Sequence, residues 1–314
     1  MPRFSAQLQD FQQADLEPDL FSFSAMNNHW YKLLVAVAGI CGPWFFALVS
    51  RIIAAGFFIF SQRVGESRRL YAALYPERGR LYHLYCTFNQ YQNFTTIHFD
   101  RFLKGQAKAP VFTTDGWERL QAVIGGRGGV LLMSHLGNWE MAATLLKSRR
   151  TDLQLLLYMG TKEKEGVERL QKEELRRTGV TIIGVDQDDN SPFTAVEGIR
   201  FLQAGGLVSM TGDIVWRSDQ RKVAVKFLGR QAFLPEAPFI FSLLSGSPLF
   251  VFFAFRTGRN SYHFTLSEPI TIDPASRKDR EPAIRRAAQH YADLLEAALR
   301  RHPFEWYHFD RFIH

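Results

Sequence analysis

The second half of the chain alternates short apolar runs with longer stretches of helical spacing, and this alternation limits the folds open to it. The apolar runs have the length of buried strands and occupy residues 130–133, 153–159, 180–185, 207–210 and 248–255. Helical stretches lie at 139–150, 163–178, 193–204 and 235–245. Strands alternating with helices predict an α/β fold with a mostly parallel central sheet flanked by helices.

Three further segments complete this outline. Residues 77–104 carry apolar side chains three or four apart and predict one amphipathic helix, opened by Pro76 and closed near Gly105. Residues 262–272 predict a later edge strand, and residues 281–301 predict a closing helix. The glycine-rich run 125–129 is interpreted as a turn, because it precedes a strand and lacks the G-K-[ST] of a phosphate loop.

The N-terminal part divides into a polar tail and an apolar segment. Residues 1–28 lack the basic start and apolar core of a secretory signal. Residues 33–50 carry no charge, and at about 1.5 Å per residue a helix over them approaches the thickness of a bilayer's hydrocarbon core. We predict a membrane-associated segment over 29–62, kinked or broken at Gly42-Pro43, and a single catalytic-size domain over 63–314.

The charge distribution bears on partners and orientation. Arginines are concentrated after the apolar segment, which predicts that the following chain is cytoplasmic. The net charge of +7 favours an anionic partner: a membrane surface, an acidic carrier protein or a nucleic acid. Residues 33–60 are open to three interpretations: a membrane span, a helix lying in the interface, or a buried hairpin of a soluble protein. Two cysteines without a CxxC motif argue against a disulfide framework or a structural zinc site.

The candidate chemical centre follows the strand at 130–133. His135 and Gly137 stand in the turn after that strand, and Asn138 is placed to cap the next helix. Ligands bind at the carboxyl ends of strands in α/β sheets, which favours a site here over a structural histidine. His135 and Glu140 lie about 140° apart on a regular helix, so they meet only if His135 is in the turn. Glu140 would then orient the imidazole and raise the basicity of its other nitrogen.

This pair suits one class of reaction. A histidine base with an orienting carboxylate fits direct attack of an acceptor hydroxyl on an activated acyl group. Backbone N–H groups at the helix start are expected to meet the developing oxyanion. Covalent catalysis is disfavoured, because the chain lacks a G-x-S-x-G nucleophile elbow and Cys41 lies in the apolar segment.

Three motifs in order resemble the bacterial late acyltransferases of lipid A biosynthesis, the lauroyl and myristoyl transferases and their relatives. The H-x4-[DE] block of that family is matched by residues 134–140, including its Gly-Asn-Trp-Glu core. Its second block, an acid followed by a segment ending in Phe-Phe-Gly, is similar to residues 212–217 and 225–230. Its closing block is similar to residues 302–312, and the likeness covers most of the chain.

The resemblance implies a glycerolipid-acyltransferase-like fold and transfer of a fatty acyl chain from acyl carrier protein to a hydroxyl of a membrane glycolipid. It places the enzyme at the cytoplasmic face of the bacterial inner membrane, with His135 as general base and Glu140 as its orienting carboxylate. The substrate-binding candidates are Asn138, Asp213, Arg230, Arg177 and Arg217. The family's Tyr-Arg-Pro is replaced here by residues 158–160, Tyr-Met-Gly, which leaves the acceptor open.

The expected partners are therefore acyl carrier protein, a glycolipid acceptor and an anionic membrane surface, with no nucleic acid. No metal or cofactor is expected, and acyl-CoA is the alternative donor. Three functional alternatives remain: the same chemistry on a polyene, ornithine lipid or phospholipid; a catalytically silent membrane adaptor of this fold; and nucleic-acid binding, which the absence of a recognisable motif disfavours. Asp213 fits a turn or helix cap as well as a site, and Arg217 fits a solvated loop as well as a phosphate contact.

Overall fold

The computed structural model describes residues 43–103, 110–150, 152–161, 176, 179–186, 192–215, 219–258 and 260–314. The predicted polar tail, the first part of the apolar segment and nearly all of the predicted helix 163–178 lie outside these ranges. The division of the chain near residue 62 stays a prediction.

Eight helices and nine strands are formed by the described residues. The helices are α1 (Pro43–Phe60), α2 (Val64–Leu74), α3 (Arg80–Leu103), α4 (Trp117–Gln121), α5 (Trp139–Arg149), α6 (Pro192–Gln203), α7 (Ala237–Ser245) and α8 (Arg280–Arg301). The strands are β1 (Val111–Asp115), β2 (Gly129–Met133), β3 (Leu155–Thr161), β4 (Thr181–Asp186), β5 (Leu207–Thr211), β6 (Lys222–Phe227), β7 (Arg230–Pro235), β8 (Leu249–Gly258) and β9 (Ser261–Leu266).

Seven of these strands form one mixed sheet in the order β1-β9-β8-β2-β5-β3-β4. Every neighbouring pair is parallel except β8 with β9. The predicted α/β fold with a mostly parallel sheet flanked by helices is confirmed. All five strands predicted from apolar runs are present in it, because runs buried on both faces are typical of parallel sheets.

Two predictions at the margins of the sheet need correction or addition. The segment 262–272 is not an edge strand: β9 ends at Leu266 and lies between β8 and β1, which pairs with it in parallel and forms the edge. The polar alternation of β1 gave no apolar run to detect. The antiparallel hairpin of β6 and β7 was likewise missed, because its strands bury only alternate residues.

The sheet is covered on both faces, and β2 shows how. Val130 and Leu132 join a core cluster formed with α2, α6, α7 and α8, whereas Leu131 and Met133 join a second cluster formed with α4 and α5. Successive side chains of a strand point to opposite faces, so an uninterrupted apolar run contributes to both cores. Central β2 is thereby fixed from two sides, and the turn that follows it has a rigid support.

Helices α1, α2 and α3 pack together at the N-terminal side. Ser50 of α1 is buried against α3, where its hydroxyl bonds Thr95 at 2.8 Å and receives a hydrogen bond from Gln92 at 2.7 Å. No single described helix is both long and apolar enough to cross a membrane. The stretches Ala47–Phe60 and Val64–Leu74 together meet that requirement, but a bend of 95° separates them.

The chain ends in an extended segment that crosses the end of the sheet after α8. Residues 302–314, called here the C-terminal segment, contact α2 and α3 on one side and the β2–α5 turn on the other. Tyr71 of α2 donates to the Pro303 carbonyl at 2.7 Å, and Asn93 of α3 donates to the Phe304 carbonyl at 3.3 Å. The far end bridges Ile313 to Ala232 of β7. This path covers the carboxyl ends of β2 and β5.

Candidate active site

His135 and Asp213 meet at the carboxyl ends of two neighbouring strands. Strands β2 and β5 are parallel, with Met133 opposite Thr211, and each candidate residue lies two positions beyond its strand. The Gly212 N–H donates to the Met133 carbonyl at 2.8 Å and carries the pairing one step further. The strand register therefore brings the imidazole and the carboxylate into contact, although 78 residues separate them in sequence.

The turn that holds His135 is fixed at several points. Gly137 has a φ of +81°, and a Cβ at that position would lie 2.5 Å from the Ala254 carbonyl oxygen of β8. The next N–H, that of Asn138, donates to the same carbonyl at 2.7 Å. The Asn138 side chain accepts from the Met141 N–H at 3.2 Å, as predicted for an N-cap. His135 thus stands in a non-helical turn, and Gly137 supplies its bend.

The Asp213 carboxylate, which is fully buried, accepts three hydrogen bonds. Its Oδ2 accepts from the backbone N–H of His135 at 2.7 Å and from the indole N–H of Trp306 at 2.9 Å, while Oδ1 lies 3.0 Å from His135 Nδ1. An ionised carboxylate can only accept, so Nδ1 carries the proton of this bond. The neutral imidazole then has its lone pair on Nε2, as a general base requires.

Electrostatics at this pair favour the charged forms. Burial alone would lower the pKa of His135, but the charge of Asp213 and its hydrogen bond outweigh burial, and the pKa lies above its ordinary value of 6.5. Burial alone would raise the pKa of Asp213, yet the charge and hydrogen bond of His135 lower it below 3.8. Asp213 is therefore ionised at neutral pH, and the His135 side chain, 28% exposed, is a stronger base than an isolated histidine.

The C-terminal segment lies against this pair. The Tyr307 N–H donates to the His135 carbonyl at 2.8 Å, and the Gly137 N–H donates to the Glu305 carbonyl at 2.9 Å. His308 is buried beside the pair, and burial lowers its pKa below 6.5 although the nearby Asp213 charge partly offsets this effect. Sequence reasoning treated this segment as a family motif and did not assign its residues to the site.

Glu140, the predicted orienting carboxylate, lies in the first turn of α5 and is 4% exposed. The Nδ1 atom of His135 is bonded to Asp213, and a base must keep its second nitrogen available to the substrate. The orienting role of Glu140 stays a prediction, while Asp213, predicted as a residue lining the site, is the acid that lies within hydrogen-bond distance of Nδ1. The signal that could have found it is an acid after a buried strand, but sequence does not reveal that β5 adjoins β2.

Most backbone N–H groups of the β2–α5 turn are hydrogen-bonded within the protein and stabilise the turn. Those of Leu136, Gly137 and Asn138 donate to the Ser134 hydroxyl, the Glu305 carbonyl and the Ala254 carbonyl respectively, and that of Met141 is capped. In this conformation they do not point to an incoming substrate oxygen. Oxyanion binding at the helix start stays a prediction for the other amides of that turn.

The predicted substrate-binding residues differ in how much the structure shows of them. Arg230 begins β7 beside the tight turn of the hairpin, pairs with Phe227 and is exposed. Arg177 and Arg217 lie outside the described residues, so their predicted roles are untested, while the neighbouring Arg176 is described and exposed. Asn138 serves as a helix cap with 8% exposure, and its role toward substrate stays a prediction.

Across the ranges that the structure covers, no cluster of three or more His, Cys, Asp or Glu side chains is arranged to hold a metal ion. The site is instead a hydrogen-bonded histidine and carboxylate at a strand end, with one imidazole nitrogen directed away from that carboxylate. Such an arrangement can remove a proton from a hydroxyl and return it to a leaving group.

Comparison with known proteins agrees with this chemistry. The search of curated proteins finds no match. The family model for bacterial lipid A biosynthesis acyltransferases matches residues 97–312, which include β1 to β9, the turn at His135 and nearly all of the C-terminal segment. The chain belongs to the bacterial lipid A biosynthesis acyltransferase family, and its enzymatic activity is acyl transfer.

Proposed function

We propose that this enzyme transfers a fatty acyl chain from acyl carrier protein to a hydroxyl of a lipid A precursor or a related glycolipid. The observation that carries the proposal is the hydrogen bond between His135 Nδ1 and Asp213 Oδ1, which prepares Nε2 to act as a base. The family match supports acyl transfer, and the proposal adds the donor, the acceptor and the residues.

In the proposed reaction, His135 Nε2 accepts the proton of the acceptor hydroxyl while the hydroxyl oxygen attacks the thioester carbonyl carbon. The carbon–sulfur bond then breaks as the tetrahedral intermediate collapses to the ester. The proton on His135 passes to the leaving sulfur, so the carrier departs as a thiol and the imidazole is neutral again. Asp213 holds the ring and stabilises its transient charge. No covalent enzyme intermediate forms, because the acceptor hydroxyl attacks the thioester directly.

The proposal places this reaction at the cytoplasmic face of the inner membrane. Among the described residues, α1 and α3 carry six of the nine large apolar side chains that are exposed, including Ile52 at 62% and Ile59 at 70%. Exposed apolar surface of this kind is typical of membrane contact. The net charge of +7 suits both an anionic membrane and an acidic carrier protein.

Two buried carboxylates are candidates for orienting His135. The contact of Oδ1 with His135 Nδ1 supports Asp213, while the sequence motif and the family resemblance favour Glu140, which lies in the first turn of α5. Replacing each by its amide separates the two roles, because the amide keeps the volume and removes the charge. We expect the larger loss of transfer from Asp213→Asn.

The direct test is transfer of radiolabelled acyl chains from acyl carrier protein into lipid, with purified full-length enzyme and total membrane lipid as acceptor. His135→Ala is expected to lose transfer by at least about 10²-fold, the scale of a lost general base. Arg230→Ala, which changes an exposed residue of the β6–β7 hairpin, tests whether the predicted basic contact has a role. The labelled product identifies the acceptor.

Other outcomes correct specific parts of the proposal. Label in a polyene, ornithine lipid or phospholipid would replace the acceptor, and transfer from acyl-CoA alone would replace the donor. Equal transfer by wild type and His135→Ala would show that His135 is not the base. A silent adaptor would give no transfer from either donor, and that result would contradict the proposed activity of this chain.

A further inference from the structure

Trp306 lies in the C-terminal segment and reaches the carboxylate that holds the base. Its indole N–H donates to Asp213 Oδ2 at 2.9 Å, and the side chain is 1% exposed. The other oxygen, Oδ1, faces His135 Nδ1. One side of the carboxylate therefore contacts the imidazole, while the opposite side is fixed by the His135 backbone and by Trp306.

The position of the indole is itself strongly determined. Phe227 and Phe312 pack against the ring with centroid distances of 5.4 and 4.8 Å, and Leu136 pairs with Trp306 through a backbone bridge. The buried side-chain amide of Gln90 in α3 donates to the Trp306 carbonyl. The ring is thus held by the hairpin, by the β2–α5 turn and by α3, which leaves its N–H little freedom to leave Asp213.

We infer that Trp306 is a positioning residue for His135: its N–H fixes Asp213 Oδ2 so that Oδ1 keeps the imidazole in the orientation and tautomer of a base. This inference rests on the proposed role of His135 in acyl transfer. A buried carboxylate that lost the indole donor would be held only by the two donors of His135 itself, and small displacements of a catalytic group cost large factors in rate. Packing of the indole alone would not require its nitrogen to face the carboxylate.

Loss of the N–H has a definite electrostatic consequence. The indole N–H and the imidazolium both interact with the negative charge of the Asp213 carboxylate. Removing the indole donor therefore strengthens the interaction between the carboxylate and the imidazolium, and this raises the pKa of His135. Other titratable groups that face the pair are His308 and Asp310 from the C-terminal segment and Tyr291 from α8, and Glu140 lies buried in the first turn of α5. His308 also contacts the indole, with ring centroids 5.4 Å apart, so a replacement that keeps the ring and removes only the N–H isolates the effect on the carboxylate.

The test compares Trp306→Phe with Tyr71→Phe in the full-length enzyme. Tyr71→Phe removes a buried donor to the same C-terminal segment, at Pro303, without touching Asp213. Two readouts are measured: acyl transfer from acyl carrier protein, and the pH dependence of His135 modification by diethyl pyrocarbonate, followed by peptide mass spectrometry. The second readout needs neither donor nor acceptor.

We expect Trp306→Phe to lower turnover by about tenfold to a hundredfold with little change in the KM for the carrier. The pH at which His135 is half-modified should be higher in this variant than in wild type. In Tyr71→Phe it should equal the wild-type value. In an Asp213→Asn background, Trp306→Phe should leave the modification profile unchanged, because Trp306 acts through the carboxylate. If Trp306→Phe does not fold, 3-benzothienylalanine at position 306 keeps the ring shape and removes only the N–H.

An unchanged profile for His135 in a folded Trp306 variant would overturn the inference. Equal effects of Trp306→Phe and Tyr71→Phe would also overturn it, because they would show that the segment acts only as a structural brace. If wild type transfers no acyl chain but the modification profile shifts as expected, the positioning role stands and the proposed function fails.

Discussion

Gly137 lies at the point where the β2–α5 turn contacts strand β8 of the sheet. Its φ of +81° belongs to the left-handed region, and an added Cβ would lie 2.5 Å from the Ala254 carbonyl oxygen. We expect Gly137→Ala to cost at least about 2 kcal/mol in the free energy of unfolding and to abolish acyl transfer. Chemical denaturation and the transfer assay measure both effects.

The matched control for this prediction is Gly126→Ala in the turn before β2. A Cβ there meets only the Val123 carbonyl oxygen, at 3.7 Å. We expect that variant to keep its stability within about 0.5 kcal/mol. If Gly137→Ala were as stable and active as Gly126→Ala, the close approach of the turn to β8 would not determine the position of His135.

Asp213→Asn tests the charge of the carboxylate. Asp213 raises the pKa of His135 against the opposing effect of burial, so its replacement should lower that pKa and move the acid limb of the activity profile to lower pH. The Asn amide can donate to Nδ1, which favours the tautomer with its proton on Nε2 and removes the base. Plateau activity should therefore fall by on the order of 10²-fold or more. An unshifted acid limb in the pH–rate profile would contradict the coupling.

At the scale of residues, sequence predicted His135 in the turn after β2 and paired it with Glu140, the acid nearest in the chain, and that pairing stays a prediction. The spacing of His135 and Glu140 is visible in one dimension, whereas the contact with Asp213 depends on β5 adjoining β2. Trp306 is farther away still, since it reaches the site only after the C-terminal segment crosses the sheet. Nonlocal contacts of this kind need the strand order, which apolar periodicity does not contain.

Helix α1 is an element with one face toward α3 and one toward solvent. Ser50 and Ala54 are buried, while Ile52 and Ile59 are exposed and lie two turns apart on one side of the helix. The double variant Ile52→Asp/Ile59→Asp should bind vesicles of phosphatidylethanolamine and phosphatidylglycerol at least about tenfold more weakly, because each isoleucine loses on the order of 2 kcal/mol of apolar burial. Flotation of the full-length protein with these vesicles measures the change.

Val111→Asp is the control for the helix variants, because Val111 on β1 is also 62% exposed but lies on the edge of the sheet. We expect it to float with vesicles like wild type. Equal flotation of the double variant and wild type would show that the outer face of α1 does not contact lipid. A loss in both the double variant and Val111→Asp would indicate a general effect of added negative charge.

Elements with a continuous apolar run or a long helical period were predictable. Strands β2, β5 and β8 and helices α5 and α8 fall close to their expected bounds, because burial on both faces or along one stripe leaves a strong pattern. Strands β1, β6 and β7 bury only part of their side chains and were missed. Strand β9 lies inside the sheet because β1 pairs with its outer edge. No local sequence pattern predicts that pairing.

For the whole molecule, the C-terminal segment joins parts of the chain that are far apart in sequence. It receives hydrogen bonds from Tyr71 and Asn93 of the N-terminal helices, and its Trp306 donates to Asp213 at the strand ends. The C-terminal segment therefore connects the N-terminal helices to the His135–Asp213 pair. Contact of α1 with a membrane would place the segment, and with it the base, near the lipid surface from which an acceptor hydroxyl comes.

The same pair links the stability of the whole chain to pH. The pKa of His135 is raised on folding, so its contribution to stability is fully present below pH 6.5 and is lost as pH rises through the raised value. We expect the difference in free energy of unfolding between wild type and His135→Gln to shrink as pH increases above 6.5. Urea denaturation at a series of pH values measures it, and groups common to both proteins cancel. A difference that stays constant across this range would contradict the raised pKa.

Activity should change in the opposite direction over the same range, because only the neutral imidazole accepts the proton of the acceptor hydroxyl. Transfer by wild type is expected to rise as pH increases through the pKa of His135, while the stability gained from the protonated pair declines. The midpoint of the transfer curve should lie at the raised pKa of His135, and the stability difference should fall between pH 6.5 and that same pKa, since a single group governs both. A transfer midpoint that does not lie at the upper end of the range over which the stability difference falls would mean that a group other than His135 sets the acid limb of activity.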